Sequence, residues 1–151
     1  MVQLYHYPRG HRGHWDGKPE SFQTRGLVLY SPWCCPSRRE CGGLIVQSSF
    51  SSVKELARRV FPIPLLEYVL KSCFDSLEKI RRVRAPILIV HGTRDEVIPF
   101  SMGQRLYQAA PEPKSFFALE GAGHNDVLAV GGKQYLSRMR RFIAGETEQP
   151  K

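Results

Sequence analysis

The chain has no C-x-x-C pair, no long apolar run, and no basic head followed by an apolar core at its N-terminus. Each absence removes a class of protein. Zinc ligands usually come as cysteines spaced by roughly two to four residues, and Cys34, Cys35, Cys41 and Cys73 do not show that spacing. Adjacent side chains such as Cys34 and Cys35 diverge and chelate one ion poorly. His6, His11 and His14 lie near them in sequence, but the expectation is free thiols in a reducing compartment, with no metal and no cofactor. Nothing approaches the run of about 18 apolar residues that a membrane span needs. "MVQLYHYPRG" lacks the h-region of a secretory signal, so a cytoplasmic protein is expected.

What is present suits a globular domain. Of 151 residues, 42% are hydrophobic and eight are phenylalanine, which argues against disorder. One domain is expected over residues 1–144, with 145–151 as a frayed tail. The formal net charge of +8 comes from short arginine clusters: Arg38-Arg39, Arg58-Arg59, Arg81-Arg82-Arg84 and Arg138-Arg140-Arg141. Several fall at the ends of expected helices, where they complement the helix dipole. Charge bears on partners and solubility rather than fold, and without a matching motif no nucleic-acid partner is expected.

The order of elements sets the fold class. "VQLYHY" and "GLVLY" (26–30) read as strands, separated by the Gly- and Pro-rich "RGHRGHWDGKPE". A third strand is expected over Leu44–Gln47. Ser52 and Glu55 suit a capping box before a helix over "VKELARRV", and Leu65–Lys71 and Ser76–Ile80 also read as helical. "APILIVHG" (85–92) is a continuous apolar run closed by Gly, as a parallel strand buried on both faces should be. Ser101 is expected to cap a helix over "MGQRLYQAA", stopped by Pro111 and Pro113. A further strand and loop span Ser115–His124. Tyr135, Leu136, Met139, Phe142 and Ile143 then form the apolar stripe of a terminal helix. Strands alternating with helices imply an α/β fold with a mostly parallel sheet.

Two strand-end loops carry chemistry. "HGTRDEVIPF" places Asp95 just past Gly92, and "EGAGHND" places His124 after a Gly-Ala-Gly turn. Catalytic groups in such sheets collect at the carboxyl ends of strands. An Asp beside a His fixes the imidazole tautomer and stabilises its positive form, so that the His serves as a general base. A third turn is ambiguous. "GLVLY" ends abruptly in Ser31-Pro32-Trp33-Cys34-Cys35-Pro36, which raises the question of a nucleophile turn, a metal site on the cysteine pair or an altered segment, the metal site being the least expected.

"PILIVHGTRDEVIPFSMGQRLYQAAPEPKSFFALEGAGHNDV" resembles the C-terminal half of an α/β-hydrolase-fold serine hydrolase, most nearly the Bem46-like group related to alpha/beta hydrolase domain-containing proteins 13 and 17. "CGGLIVQSSFSSVKELARRVFP" is similar to the strand and helix after that group's nucleophile elbow, and "YPRGHRGHWDGKPE" more weakly to an upstream loop. The resemblance is firm from Cys41 to Ile143. It implies a partial α/β-hydrolase fold, with a mostly parallel sheet of about five strands flanked by helices. Residue by residue, it makes Asp95 the triad acid and His124 the triad base. Asn125 and Asp126 match "GHND", and their expected role is capping the last loop or helix. His91 is expected to pack or bond locally, and His11 and His14 receive no chemistry. Ser48 and Ser49 fall one strand past the elbow and are rejected as nucleophiles.

The departures from the family are as informative as the matches. The G-x-S-x-G elbow is missing from the whole chain. "GLVLY" resembles the strand leading into it, which makes Ser31 the remnant nucleophile. The next residue should donate its backbone N–H to the oxyanion, but Pro32 has none. Losing one such donor costs about 100–1,000-fold in rate. The strand that supplies the other oxyanion donor, expected between those resembling "VQLYHY" and "GLVLY", has no counterpart. Its absence implies a gap or a rearranged strand pairing, and an unpaired edge open to self-association.

Codon arithmetic offers an origin for the altered turn. An ordinary elbow, Ser-Leu-Gly-Ala-Ala-Leu, encoded TCC-CTT-GGT-GCT-GCC-CTT, becomes Ser-Pro-Trp-Cys-Cys-Pro when one C is inserted in the first run of Cs. A local frameshift, with the frame restored by Arg39–Cys41, accounts for residues 31–37. The expected function is thus serine-hydrolase-like: ester, thioester or amide hydrolysis of a small acyl-type or peptide substrate through an acyl-enzyme, impaired in this chain. The alternative is a non-catalytic interaction module with a basic surface.

Overall fold

The computed structural model describes residues 3–8, 41–52 and 76–146. Its elements run β1 (Gln3–Pro8), β2 (Cys41–Gln47), α1 (Ser76–Ile80), β3 (Ile87–Gly92), α2 (Phe100–Ala109), β4 (Lys114–Leu119) and α3 (Val127–Ile143). The expected strand over 26–30 and the expected helices over 53–60 and 65–71 lie outside the described residues.

Every residue of β3 is buried, as its unbroken apolar run predicts for a strand covered on both faces. β3 pairs in parallel with β2 on one side and with β4 on the other, in the order β1-β2-β3-β4. The mostly parallel α/β sheet is therefore observed. β1 runs antiparallel to β2, from Gln3 opposite Gln47 to Tyr7 opposite Gly43, and the register shifts at Pro8, which cannot donate to a ladder. The segment 26–30, on which the expected gap or re-pairing turns, lies outside the described residues.

Side-chain alternation along the strands builds two core layers. Leu44, Val46, Ile87 and Ile89 meet Ile80 of α1, Leu106 of α2 and Ala110 just after it. Ile45, Leu88, Val90 and Leu119 meet Val127, Tyr135, Met139 and Phe142 from α3. Full burial of one such side chain stabilises by about 1.5–3 kcal/mol. A polar bond crosses the second layer: Tyr135 Oη donates to Gln47 Oε1 at 2.7 Å, tying α3 to the end of β2. At the surface Arg82 pairs with Glu78 across one helical turn, and Arg140 and Arg141 sit in the last turn of α3, as the dipole argument anticipates.

One helix start differs from expectation. α2 begins at Phe100 with Pro99 at the cap position and no side-chain cap, so Ser101 lies inside the first turn. The reason is Pro99, whose own backbone is extended (φ −54°, ψ 137°) and sets the boundary one residue before Phe100. α3 runs from Val127 and kinks at Gly132 (φ 44°, ψ −127°), and the expected terminal helix is its part after the kink.

Candidate active site

β3 and β4 end side by side, and their loops are laced together. Thr93 N–H donates to Leu119 O at 2.9 Å and Arg94 N–H to Ala122 O at 2.9 Å. Gly121 N–H donates to Thr93 Oγ1 at 2.9 Å. These bonds carry Asp95 and His124, 29 residues apart in sequence, to one place, where His124 Nδ1–H donates to Asp95 Oδ2 at 2.8 Å. The Asp95 side chain is fully buried and that of His124 nearly so.

A buried carboxylate must be compensated, because desolvation of an unpaired charge costs several kcal/mol. Asp95 meets this within its own turn. Oδ1 accepts the backbone N–H of Val97 at 3.0 Å and of Ile98 at 2.7 Å. Oδ2 receives His124 and also lies 3.5 Å from His91 Nε2. His124 is held from its own side as well: Asp126 Oδ1 accepts Gly123 N–H at 2.6 Å. Asp126 occupies the N-cap position of α3, yet its side chain makes no cap bond. It braces the histidine loop instead. With Nδ1–H committed to the carboxylate, the basic nitrogen of His124 is Nε2, the tautomer needed to accept a proton from a nucleophile.

His91 sits at the end of β3, fully buried, with Nε2 2.9 Å from Ile98 O. Burial holds its imidazole below the usual histidine range. The Ile98 carbonyl and then Asp95 oppose this, and His124 adds slightly to it. The local packing expected for His91 is observed. Its approach to Asp95 is new, and the only signal for it in sequence is a histidine four residues before the acid.

Ser48 and Ser49, rejected as nucleophiles, are both buried just past β2. Ser48 has φ 45°, and its hydroxyl has no partner among the described residues. Ser31, Pro32 and the cysteine pair lie outside the described residues, as do His11, His14 and the side chain of His6. Among the described residues there is no cluster of three or more potential metal ligands, and no helix is long and apolar enough to cross a membrane.

No protein-family model matches the chain. Over 113 residues it is 42% identical to alpha/beta hydrolase domain-containing protein 17C of Xenopus tropicalis, covering 73% of this chain and 34% of that protein. The human protein of the same name is 41% identical over 113 residues, covering 73% of this chain and 32% of its own length. An uncharacterized Mycobacterium tuberculosis protein is 34% identical over 106 residues, covering 70% and 38%. The chain thus spans about a third of the length of these curated relatives. Among solved structures, an esterase from Pyrococcus furiosus superposes with a TM-score of 0.58 at 15% identity, over 75% of this chain and 48% of the esterase. A 2,6-dihydroxy-pseudo-oxynicotine hydrolase gives 0.55 at 18% identity, over 76% and 37%. These structural likenesses bear on fold, and the sequence relatives share the fold's name. With its parallel sheet and its Asp and His at successive strand ends, the chain belongs to the α/β-hydrolase family.

Proposed function

We propose that the chain carries the acid and base of a Bem46-like serine hydrolase, with Ser31 as the remnant nucleophile. The parent chemistry is hydrolysis of an ester, thioester or amide through an acyl-enzyme. In that chemistry the Ser31 hydroxyl attacks the substrate carbonyl while His124 Nε2 takes its proton, and Asp95 stabilises the imidazolium. His124 then returns the proton to the leaving group, and a water deprotonated by the same nitrogen releases the acid. The observation that supports this most is the 2.8 Å bond from His124 Nδ1 to the buried Asp95 carboxylate.

One feature of the sequence favours the second reading, a non-catalytic interaction module: Pro32 offers no N–H to an oxyanion. Hydrolysis of p-nitrophenyl butyrate separates the two. A catalytic chain turns over slowly, falls to background as Ser31→Ala or His124→Ala, and gains up to about 100-fold as Pro32→Leu, which restores one donor. Rates equal to background in the original chain and in Pro32→Leu alike leave the module reading. Sequencing the coding DNA tests the frameshift proposal: codons that cannot give Leu-Gly-Ala-Ala in the neighbouring frame remove it.

A further inference from the structure

The buried group beside the Asp95–His124 pair that the proposed chemistry does not use is His91. Its Nε2 faces Ile98 O at 2.9 Å. A carbonyl oxygen only accepts, so Nε2 carries the proton. Its Nδ1 is buried with no hydrogen-bond partner among the described residues. Behind Nδ1 stands Gly103 of α2, where a Cβ would lie 2.5 Å from Nδ1 and 2.9 Å from Cγ. A proton on Nδ1 would meet that backbone and find no acceptor, so the ring has one neutral tautomer available.

The bonds around this ring close on themselves. His91 Nε2–H donates to Ile98 O, Ile98 N–H donates to Asp95 Oδ1 at 2.7 Å, and Asp95 Oδ2 lies 3.5 Å from His91 Nε2. That same Oδ2 receives His124. The carboxylate cannot rotate without breaking the Ile98 bond or moving toward the His91 ring. Phe100, edge-on to His91 at 5.9 Å, and Gly103 on α2 hold the ring in place.

We propose that His91 is a positioning residue for the acid: braced on Ile98 and backed by Gly103, it fixes the orientation in which Asp95 receives His124. This rests on the reading above in taking His124 as the base. Burial keeps His91 neutral, so the negative charge of Asp95 is not spent on a second imidazolium. A bulky ring that merely fills the core would need neither the donor at Nε2 nor the glycine behind it.

The test is the low-field Nδ1–H proton resonance of His124 in solution NMR of the full chain, which reports the Asp95 bond whether or not the chain turns over substrate. His91→Met fills much of the space without a donor and is expected to speed exchange of that proton at least tenfold. His91→Gln returns an N–H donor near the Nε2 position and is expected to restore it. Gly103→Ala displaces the ring and should act like His91→Met, with little added effect in the double variant. Resonances as sharp in His91→Met and Gly103→Ala as in the parent chain would overturn the proposal. If His91→Met does not fold, Gly103→Ala decides by the same criterion. The predicted NMR pattern without any esterase activity would overturn the hydrolase reading while leaving the role of His91 standing.

Discussion

A Cβ on Gly92 would stand 2.3 Å from the backbone carbonyl oxygen of Ala122. This close approach is where the acid loop crosses the base loop. It explains why the strand must end in glycine: backbone meets backbone, and no rotamer change can relieve a clash. Gly92→Ala is expected to destabilise the fold by about 1–3 kcal/mol, the usual cost of overpacking. It should also part Asp95 from His124. Urea denaturation gives the first quantity. Loss of the His124 low-field proton signal gives the second.

The Asp95 carboxylate serves three donors, which makes its two truncations differ. Asp95→Ala deprives the N–H groups of Val97, Ile98 and His124 of their acceptor and is expected to cost about 3–5 kcal/mol. Asp95→Asn keeps an oxygen for the turn but can present an amide N–H to His124, favouring the wrong tautomer. It is expected to lose stability modestly and any esterase activity by about 10⁴-fold. Denaturation midpoints and p-nitrophenyl butyrate rates check the pair. Equal stability losses in the two variants would contradict the bonding described.

Ser48 holds φ 45°, in the left-handed region, with a buried hydroxyl that lacks a partner among the described residues. That region costs a non-glycine residue about 1–2 kcal/mol. Ser48→Gly is expected to gain about 1 kcal/mol, less the entropy it adds to the unfolded chain. Ser48→Ala removes the orphan hydroxyl but keeps the strain, so it should gain less. Thermal unfolding of the two variants measures the difference.

His91 makes stability depend on pH in a definite direction. Burial lowers its pKa in the folded chain from the ordinary value of 6.5. Below about pH 6.5 the unfolded chain binds a proton that the folded chain resists. The contribution to stability is complete above that pH and is lost as pH falls toward the folded pKa. Denaturation between pH 8 and 5.5 should show this loss, and His91→Met should flatten the curve. An unchanged slope in the variant would assign the effect to other groups.

Much of this was legible in the sequence because the physics is local and repetitive. The run Ile87–Gly92 could only be a strand covered on both faces, and the stripe from Tyr135 to Ile143 only an amphipathic helix. The Asp95–His124 pair was legible because each residue follows a strand end and successive parallel strands bring such ends together. What was not legible depends on contacts across the fold. The Asp126 side chain reads as a helix cap, yet it turns back to Gly123 because the histidine loop brings that N–H within 2.6 Å. Ser101 reads as a cap, yet Pro99 already sets the boundary. The role of Gly103 depends on a ring 12 residues upstream, which no periodicity reveals.

Activation of Ser31 by Asp95 and His124 is tested by labelling the full chain with a fluorophosphonate probe and mapping the modified peptide by mass spectrometry. Slow modification of Ser31, lost in Ser31→Ala and in His124→Ala, is expected. No modification at any time, or modification that persists on another residue in Ser31→Ala, would rule that activation out.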